Sequence, residues 1–80
     1  SVDATISDSF SPKTVAIAKG GTVTWTFAKL HDVTFDTNGA PANLGQHSSG
    51  TATATFPNSG TYQYHCVIHG PSMNGTVVVQ

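Results

Sequence analysis

A period-two alternation of polar and apolar side chains is the feature that most constrains the fold of this 80-residue chain. In residues 22–27, three threonines alternate with Val23, Trp25 and Phe27. On a strand these three apolar side chains share one face, whereas a helix would scatter them around its circumference. The segment therefore predicts a strand with one buried face.

The same alternation recurs in short runs that are separated by turn signals. Candidate strands cover residues 2–7, 14–18, 22–27, 31–36, 51–56, 62–66 and 76–79, and residues 37–50, rich in Asn, Gly, Pro and Ser, are predicted to form a long loop. A quarter of the chain is serine or threonine, and neither glutamate nor arginine occurs. Because strong helix formers are scarce, we predict an all-β, Greek-key β-sandwich of about seven strands, with residues 1–80 as a single domain.

The charge content excludes several classes of protein. The only basic residues besides histidine are three lysines, too few for the patch that neutralises nucleic-acid phosphates. No apolar run approaches the ~20 residues of a membrane-spanning helix. With one cysteine there is no internal disulfide and no paired-cysteine zinc motif.

The chemistry of the chain is concentrated between residues 64 and 73, which contain its only cysteine, Cys66, and its only methionine, Met73, together with His69. Alone, Cys66 would be a small buried hydrophobe and Met73 a core filler. With His31 upstream, the set is two imidazoles, one thiolate and one thioether. These are the donors of a blue-copper electron-transfer centre.

The chain resembles the cupredoxins, and within them the plastocyanin and amicyanin branch. The resemblance covers nearly the whole chain and rests on residues 14–27 with their Gly-Gly turn, on His-Asp-Val-Thr-Phe at 31–35, on Gly-Thr-Tyr-Gln-Tyr-His-Cys-Val-Ile-His at 60–69, and on the ending at 73–79. It implies one type 1 copper ion with His31, Cys66 and His69 as equatorial ligands and Met73 as the weak axial ligand. Tyr62 resembles the tyrosine corner of Greek-key sandwiches.

The resemblance also implies the function. We expect one-electron transfer by a Cu(II)/Cu(I) couple, without enzymatic activity, between redox proteins that dock transiently near His69. We expect a monomer located in the periplasm or elsewhere outside the cytoplasm, including a thylakoid-lumen-like or cell-surface-anchored setting. We also expect an apolar apron around His69 from Pro41, Ala42, Leu44, Gly70 and Pro71.

Three positions depart from the family pattern. Three residues separate His69 from Met73, where amicyanin-like loops usually have two and plastocyanin-like loops four. Val67 follows the cysteine, where a serine or threonine is common. Asp32 stands where an asparagine usually ties the two ligand loops together. Because a carboxylate titrates, we expect Asp32 to make the reduction potential more pH-dependent than an asparagine would.

Two alternative functions share the same ligands. One is a copper storage or delivery module, and the other is an electron-transfer domain of a larger copper enzyme of the nitrite reductase or multicopper oxidase kind. His65, next to Cys66, is the residue that would serve a second copper, but we expect it to be a surface or partly packed side chain. His47 is expected to be solvated in its Gly/Ser loop.

Overall fold

The structure, a computed structural model that describes residues 1–80, is built from strands alone. The nine strands are β1 (Val2–Ala4), β2 (Phe10–Ser11), β3 (Thr14–Ile17), β4 (Thr22–Phe27), β5 (His31–Phe35), β6 (Gly45–His47), β7 (Thr51–Thr55), β8 (Gly60–Cys66) and β9 (Gly70–Val79). No helix is long and apolar enough to cross a bilayer.

The strands form two sheets. One has the order β2-β1-β4-β7 and the other the order β3-β9-β8-β5-β6. Most neighbours are antiparallel, but β1 runs parallel to β4 and β3 runs parallel to β9. The predicted all-β sandwich is confirmed. The strand count is nine rather than about seven because two very short strands, β2 and β6, pair at the sheet edges.

Most predicted strand ends lie within two residues of the observed ones, and three larger differences remain. The first strand ends at Ala4 rather than at residue 7, because the chain turns between Thr5 and Ser9. The predicted loop at 37–50 contains β6, which pairs with the start of β5. The last strand begins at Gly70 rather than at residue 76, because its first half continues the ladder with β8.

Aromatic side chains from both sheets fill the core. Trp25 of β4 lies edge-on to Tyr64 of β8, with ring centroids 5.4 Å apart, and Phe10 contacts the same tyrosine ring at 4.7 Å. The alternation in β4 is confirmed, since Val23, Trp25 and Phe27 are all buried. Edge-to-face pairs of this kind add about 0.5–1.5 kcal/mol each beyond the area that they bury.

Two features of the second sheet position side chains at one end of the sandwich. Strands β5 and β8 are antiparallel neighbours, so the first residue of β5 and the last residue of β8 lie at the same end. A bulge between His65 and Cys66 shifts the β8–β9 register. Bulges re-aim side chains and are frequent beside functional sites.

Candidate metal centre

Three of the four predicted ligands converge at this end of the sandwich. His31 opens β5, Cys66 closes β8, and His69 lies in the turn that leads into β9. The donor atoms of the three residues all lie within 4.8 Å of one another. His31 and Cys66 are completely buried, and His69 is partly exposed.

The distances between the donors are those that a shared ion requires. The Cys66 Sγ lies 3.5 Å from Nδ1 of His69 and 3.9 Å from Nδ1 of His31, and the two Nδ1 atoms are 3.2 Å apart. Bonds of about 2.0–2.3 Å from a central ion to N and S ligands put neighbouring donors about 3–4 Å apart. The three side chains therefore fit one metal ion between them.

The tautomer of His31 suits this role. Its Nε2 lies 2.7 Å from the backbone oxygen of Thr5. A carbonyl oxygen only accepts, so Nε2 carries the proton and donates it, which leaves the Nδ1 lone pair directed at the cluster. Hydrogen bonds to the remote nitrogen are how metal-binding imidazoles are oriented. Nε2 of His69 faces a different group, Asp8 Oδ1, at 3.4 Å.

Met73, the predicted axial ligand, is buried in β9. The ladder pairs His65 with Asn74 and Cys66 with Gly70, so Met73 belongs to the bulged segment that lies opposite the end of β8. The register therefore brings the thioether-bearing residue alongside the cysteine.

Asp32 joins the two segments that carry the ligands. Its Oδ1 accepts the Val67 amide proton at 2.7 Å, and its Oδ2 accepts the Thr34 hydroxyl proton at 2.6 Å. Burial of the carboxylate raises the pKa of Asp32, but the hydrogen bonds from Thr34, the Cys66 thiol and the backbone amides outweigh burial and leave it below 3.8. Asp32 is therefore a buried anion that holds the turn after Cys66 against the start of β5.

The two other histidines lie outside the cluster. His65 pairs with Asp36 through Nδ1 at 2.8 Å and lines a polar groove of about 420 Å³ on the sheet surface. It is partly packed, as predicted. His47, predicted to be solvated, is partly exposed but also partly packed, because its ring stacks on Phe27 at 4.9 Å and its Nε2 donates to the Leu44 oxygen. The stacking partner comes from another strand, which the loop composition could not indicate.

Exposed apolar side chains lie close in sequence to the residues of the centre. The chain has four large hydrophobic residues with substantial exposure: Ile6, Leu30, Val67 and Ile68, which we call the apolar rim. Each is close in sequence to the centre, since two lie between Cys66 and His69, one precedes His31, and Ile6 follows Thr5. The predicted apron did not include them, although their adjacency to the ligands was the signal. One apron residue, Leu44, instead packs against the core.

Comparisons with known proteins agree with this geometry. A family model described as copper-binding proteins of the plastocyanin/azurin family matches residues 2–80. A chloroplastic plastocyanin from Tetradesmus obliquus is 34% identical over 84 residues, covering 89% of this chain, and the chain spans only 58% of that relative's length. A plastocyanin from Scenedesmus fuscus is 32% identical, with 89% of this chain and 86% of the relative covered.

The structural comparison points the same way. An oxidised single-site mutant of amicyanin superposes with a TM-score of 0.82 at 29% identity, covering 99% of this chain and 79% of the amicyanin chain.

Proposed function

The chain belongs to the plastocyanin/azurin family of copper-binding proteins, the cupredoxins, and we propose that it carries single electrons at a type 1 copper centre held by His31, Cys66, His69 and Met73. The observation that carries the proposal is the cluster of one thiol and two Nδ1 atoms at the end of β5 and β8. Bound copper supplies the Cu(II)/Cu(I) couple.

Each proposed ligand has a distinct role. In a copper-loaded site the Cys66 thiolate would be the anchor and the main electronic connection to the protein, and the imidazoles of His31 and His69 would supply the two nitrogen donors. Thiolate and thioether donors suit Cu(I), whereas imidazole suits both oxidation states. A set of this composition serves both states without exchanging ligands, which favours a carrier.

The protein frame keeps these donors in place. The Thr5 carbonyl fixes the His31 ring, and Asp32 fixes the backbone at Val67, directly after the cysteine. Both contacts are made by buried or partly buried groups and involve no metal. A site ordered in this way moves little when its charge changes, which lowers the reorganisation that accompanies electron transfer.

The apolar rim is the proposed docking surface for redox partners. Val67 is 60% exposed and adjoins Cys66, so a partner that covers the rim comes close to the partly exposed ring of His69. Transient electron-transfer contacts are small, often below ~1,200 Å². With a formal net charge of −1, we expect association that depends weakly on salt.

The proposal treats residues 1–80 as one electron-transfer domain that acts as a monomer and is not itself an enzyme. We propose a location outside the cytoplasm, in a periplasm or a comparable compartment. This part of the proposal is supported by family membership and by the plastocyanin relatives.

Voltammetry of the copper-loaded protein tests the proposal. We expect a reversible one-electron wave with one copper per chain, lost in Cys66→Ser and retained in His47→Gln, a histidine outside the cluster. Copper that a Cu(I) chelator removes quickly, without a reversible wave, would contradict a carrier and indicate storage or delivery. Catalytic reduction of nitrite or oxygen would indicate instead a domain of a larger copper enzyme.

A further inference from the structure

One short turn contacts the outer nitrogens of both histidines. The Thr5–Ser9 turn joins β1 to β2 and is closed by a hydrogen bond from the Thr5 amide to the Ser9 oxygen at 2.9 Å. Its hydroxyl groups reinforce it, since Thr5 Oγ1 lies 2.7 Å from Ser9 Oγ. The Thr5 oxygen accepts from His31, and Asp8 Oδ1 faces His69.

Asp8 has an uncommon backbone conformation. Its φ is +58°, and it is the only residue other than glycine with a positive φ. Aspartate tolerates this left-handed region better than most residues, but the conformation is still unfavourable for a residue that has a Cβ. Such a conformation persists only where its surroundings impose it, and here the Asp8 amide donates to the Thr5 oxygen at 3.3 Å.

The carboxylate of Asp8 lies between two partners. Its Oδ1 is 2.7 Å from Nζ of Lys29 and 3.4 Å from Nε2 of His69. The side chains of Asp8 and Lys29 are both about two-fifths exposed, at 42% and 41%, whereas that of His69 is 23% exposed. Lys29 precedes the apolar rim residue Leu30, so the ion pair lies at the margin of the proposed docking surface.

We propose that Asp8 is a positioning residue for His69, which holds the exposed ligand ring with Nε2–H outward and Nδ1 directed at the metal site. The proposal rests on the proposed function, because it takes His69 as a ligand. His31 is buried, and its ring is fixed by packing and by Thr5. His69 has solvent on one side, so a partner at Nε2 is the constraint that keeps its ring from turning.

Lys29 offsets the negative charge of the Asp8 carboxylate near the metal site. An anion near the centre favours the oxidised state, which carries one more positive charge, and a cation disfavours it. As a pair, Asp8 and Lys29 largely cancel. Removing the carboxylate therefore raises the reduction potential, and removing the ammonium lowers it. Both effects shrink at high salt, because the groups are partly exposed.

Two substitutions separate the positioning role from a backbone role. Asp8→Asn keeps an oxygen that can accept from Nε2–H and tolerates the left-handed backbone, but has no charge. Asp8→Gly also accepts this backbone conformation, yet removes the acceptor. Asp3→Asn is the matched control, since Asp3 is an exposed aspartate of β1 that forms no ion pair. The unfolding midpoint of each metal-free variant verifies that it folds.

The first readout uses the metal-free protein, so it does not depend on copper binding. ¹³C relaxation at Cε1 of His69 should report one ordered ring in the wild type, in Asp3→Asn and in Asp8→Asn, and a mobile ring in Asp8→Gly. Equal ring order in all four proteins would overturn the positioning role and leave the proposed function intact.

The second readout is the reduction potential of the copper-loaded protein. It should rise in Asp8→Asn, fall in Lys29→Met and return towards the wild-type value in the double variant. Shifts of the same sign in both single variants, or no shift in either at low salt, would overturn the charge-balance part of the proposal. Failure of the wild-type protein to bind copper would refute the proposed function, but would not change the ring order measured in the metal-free protein.

Discussion

Replacing Asp32 by alanine should remove a large share of the stability of the metal-free protein. The two shortest hydrogen bonds that the buried carboxylate accepts come from the Val67 amide at 2.7 Å and from the Thr34 hydroxyl at 2.6 Å. Hydrogen bonds to charged groups contribute about 1.5–3 kcal/mol each, so the loss of both should cost at least about 3 kcal/mol. A domain of this size has a total stability on the order of 4–12 kcal/mol, so the variant should be close to unfolding.

Urea unfolding of the metal-free protein measures this loss. With a slope of about 1 kcal/mol/M, the midpoint of Asp32→Ala should fall by about 3 M. Asp32→Asn keeps an acceptor for the Val67 amide and should lose less than half as much. Asp36→Ala, which removes the more exposed carboxylate beside His65, is the control and should change the midpoint little. A loss below about 1 kcal/mol in Asp32→Ala would refute the view that this carboxylate fastens the two ligand segments.

Further predictions concern pH and packing. The pKa of Asp32 is lowered in the folded protein, so the contribution of this carboxylate to stability is present above the unfolded pKa of about 3.9 and is lost as pH falls through the folded value. Acid unfolding followed by circular dichroism should therefore be less steep in Asp32→Asn. Burial raises the pKa of Tyr64 to about 12, so the contribution of this residue to stability is complete below about pH 10 and is lost as pH rises towards 12. Tyr64→Phe should remove that alkaline loss and destabilise little at pH 7, because the buried hydroxyl has no hydrogen-bond partner; a large loss in a urea titration would contradict this. Gly75→Ala would press a methyl group into the buried Tyr64 ring and should cost about 1–3 kcal/mol by urea unfolding, whereas an unchanged midpoint would mean that the ring gives way.

The main strands could be predicted because their signal is local. Burial of alternate residues in β4 follows from the period of a strand, and no distant partner is needed to detect it. The tyrosine corner is equally local, and the structure confirms it, since the Tyr62 hydroxyl donates to the Asn58 oxygen at 2.9 Å. The short strands β2 and β6 are recognisable only by their pairing with distant neighbours, which no run of two or three residues indicates.

The residues of the site also fall into those with a local sequence signal and those without one. His69 and Met73 follow Cys66 at short spacings, and the unusual Asp32 follows His31 directly, so the sequence draws attention to them. The contacts to the outer nitrogens were not predictable. A backbone oxygen such as that of Thr5 has no side-chain signature, and Asp8 approaches His69 from 61 positions away through a turn whose conformation depends on tertiary packing.

The expectation that Asp32 makes the reduction potential more pH-dependent stays a prediction. The structure indicates that this dependence should be sought at acidic pH. With its folded pKa below 3.8, the carboxylate is ionised throughout the neutral range. Any titration of the potential by this group is therefore expected only in strongly acidic solution.

The most direct test of the central claim is a Cu(II) titration of the reduced, metal-free protein, followed by visible absorption and EPR. An intense thiolate-to-copper charge-transfer band with a narrow copper hyperfine splitting, saturating at one equivalent and absent in Cys66→Ser, is the predicted result. A weak spectrum of ordinary square-planar copper, unchanged in Cys66→Ser, would contradict a type 1 centre built on His31, Cys66 and His69.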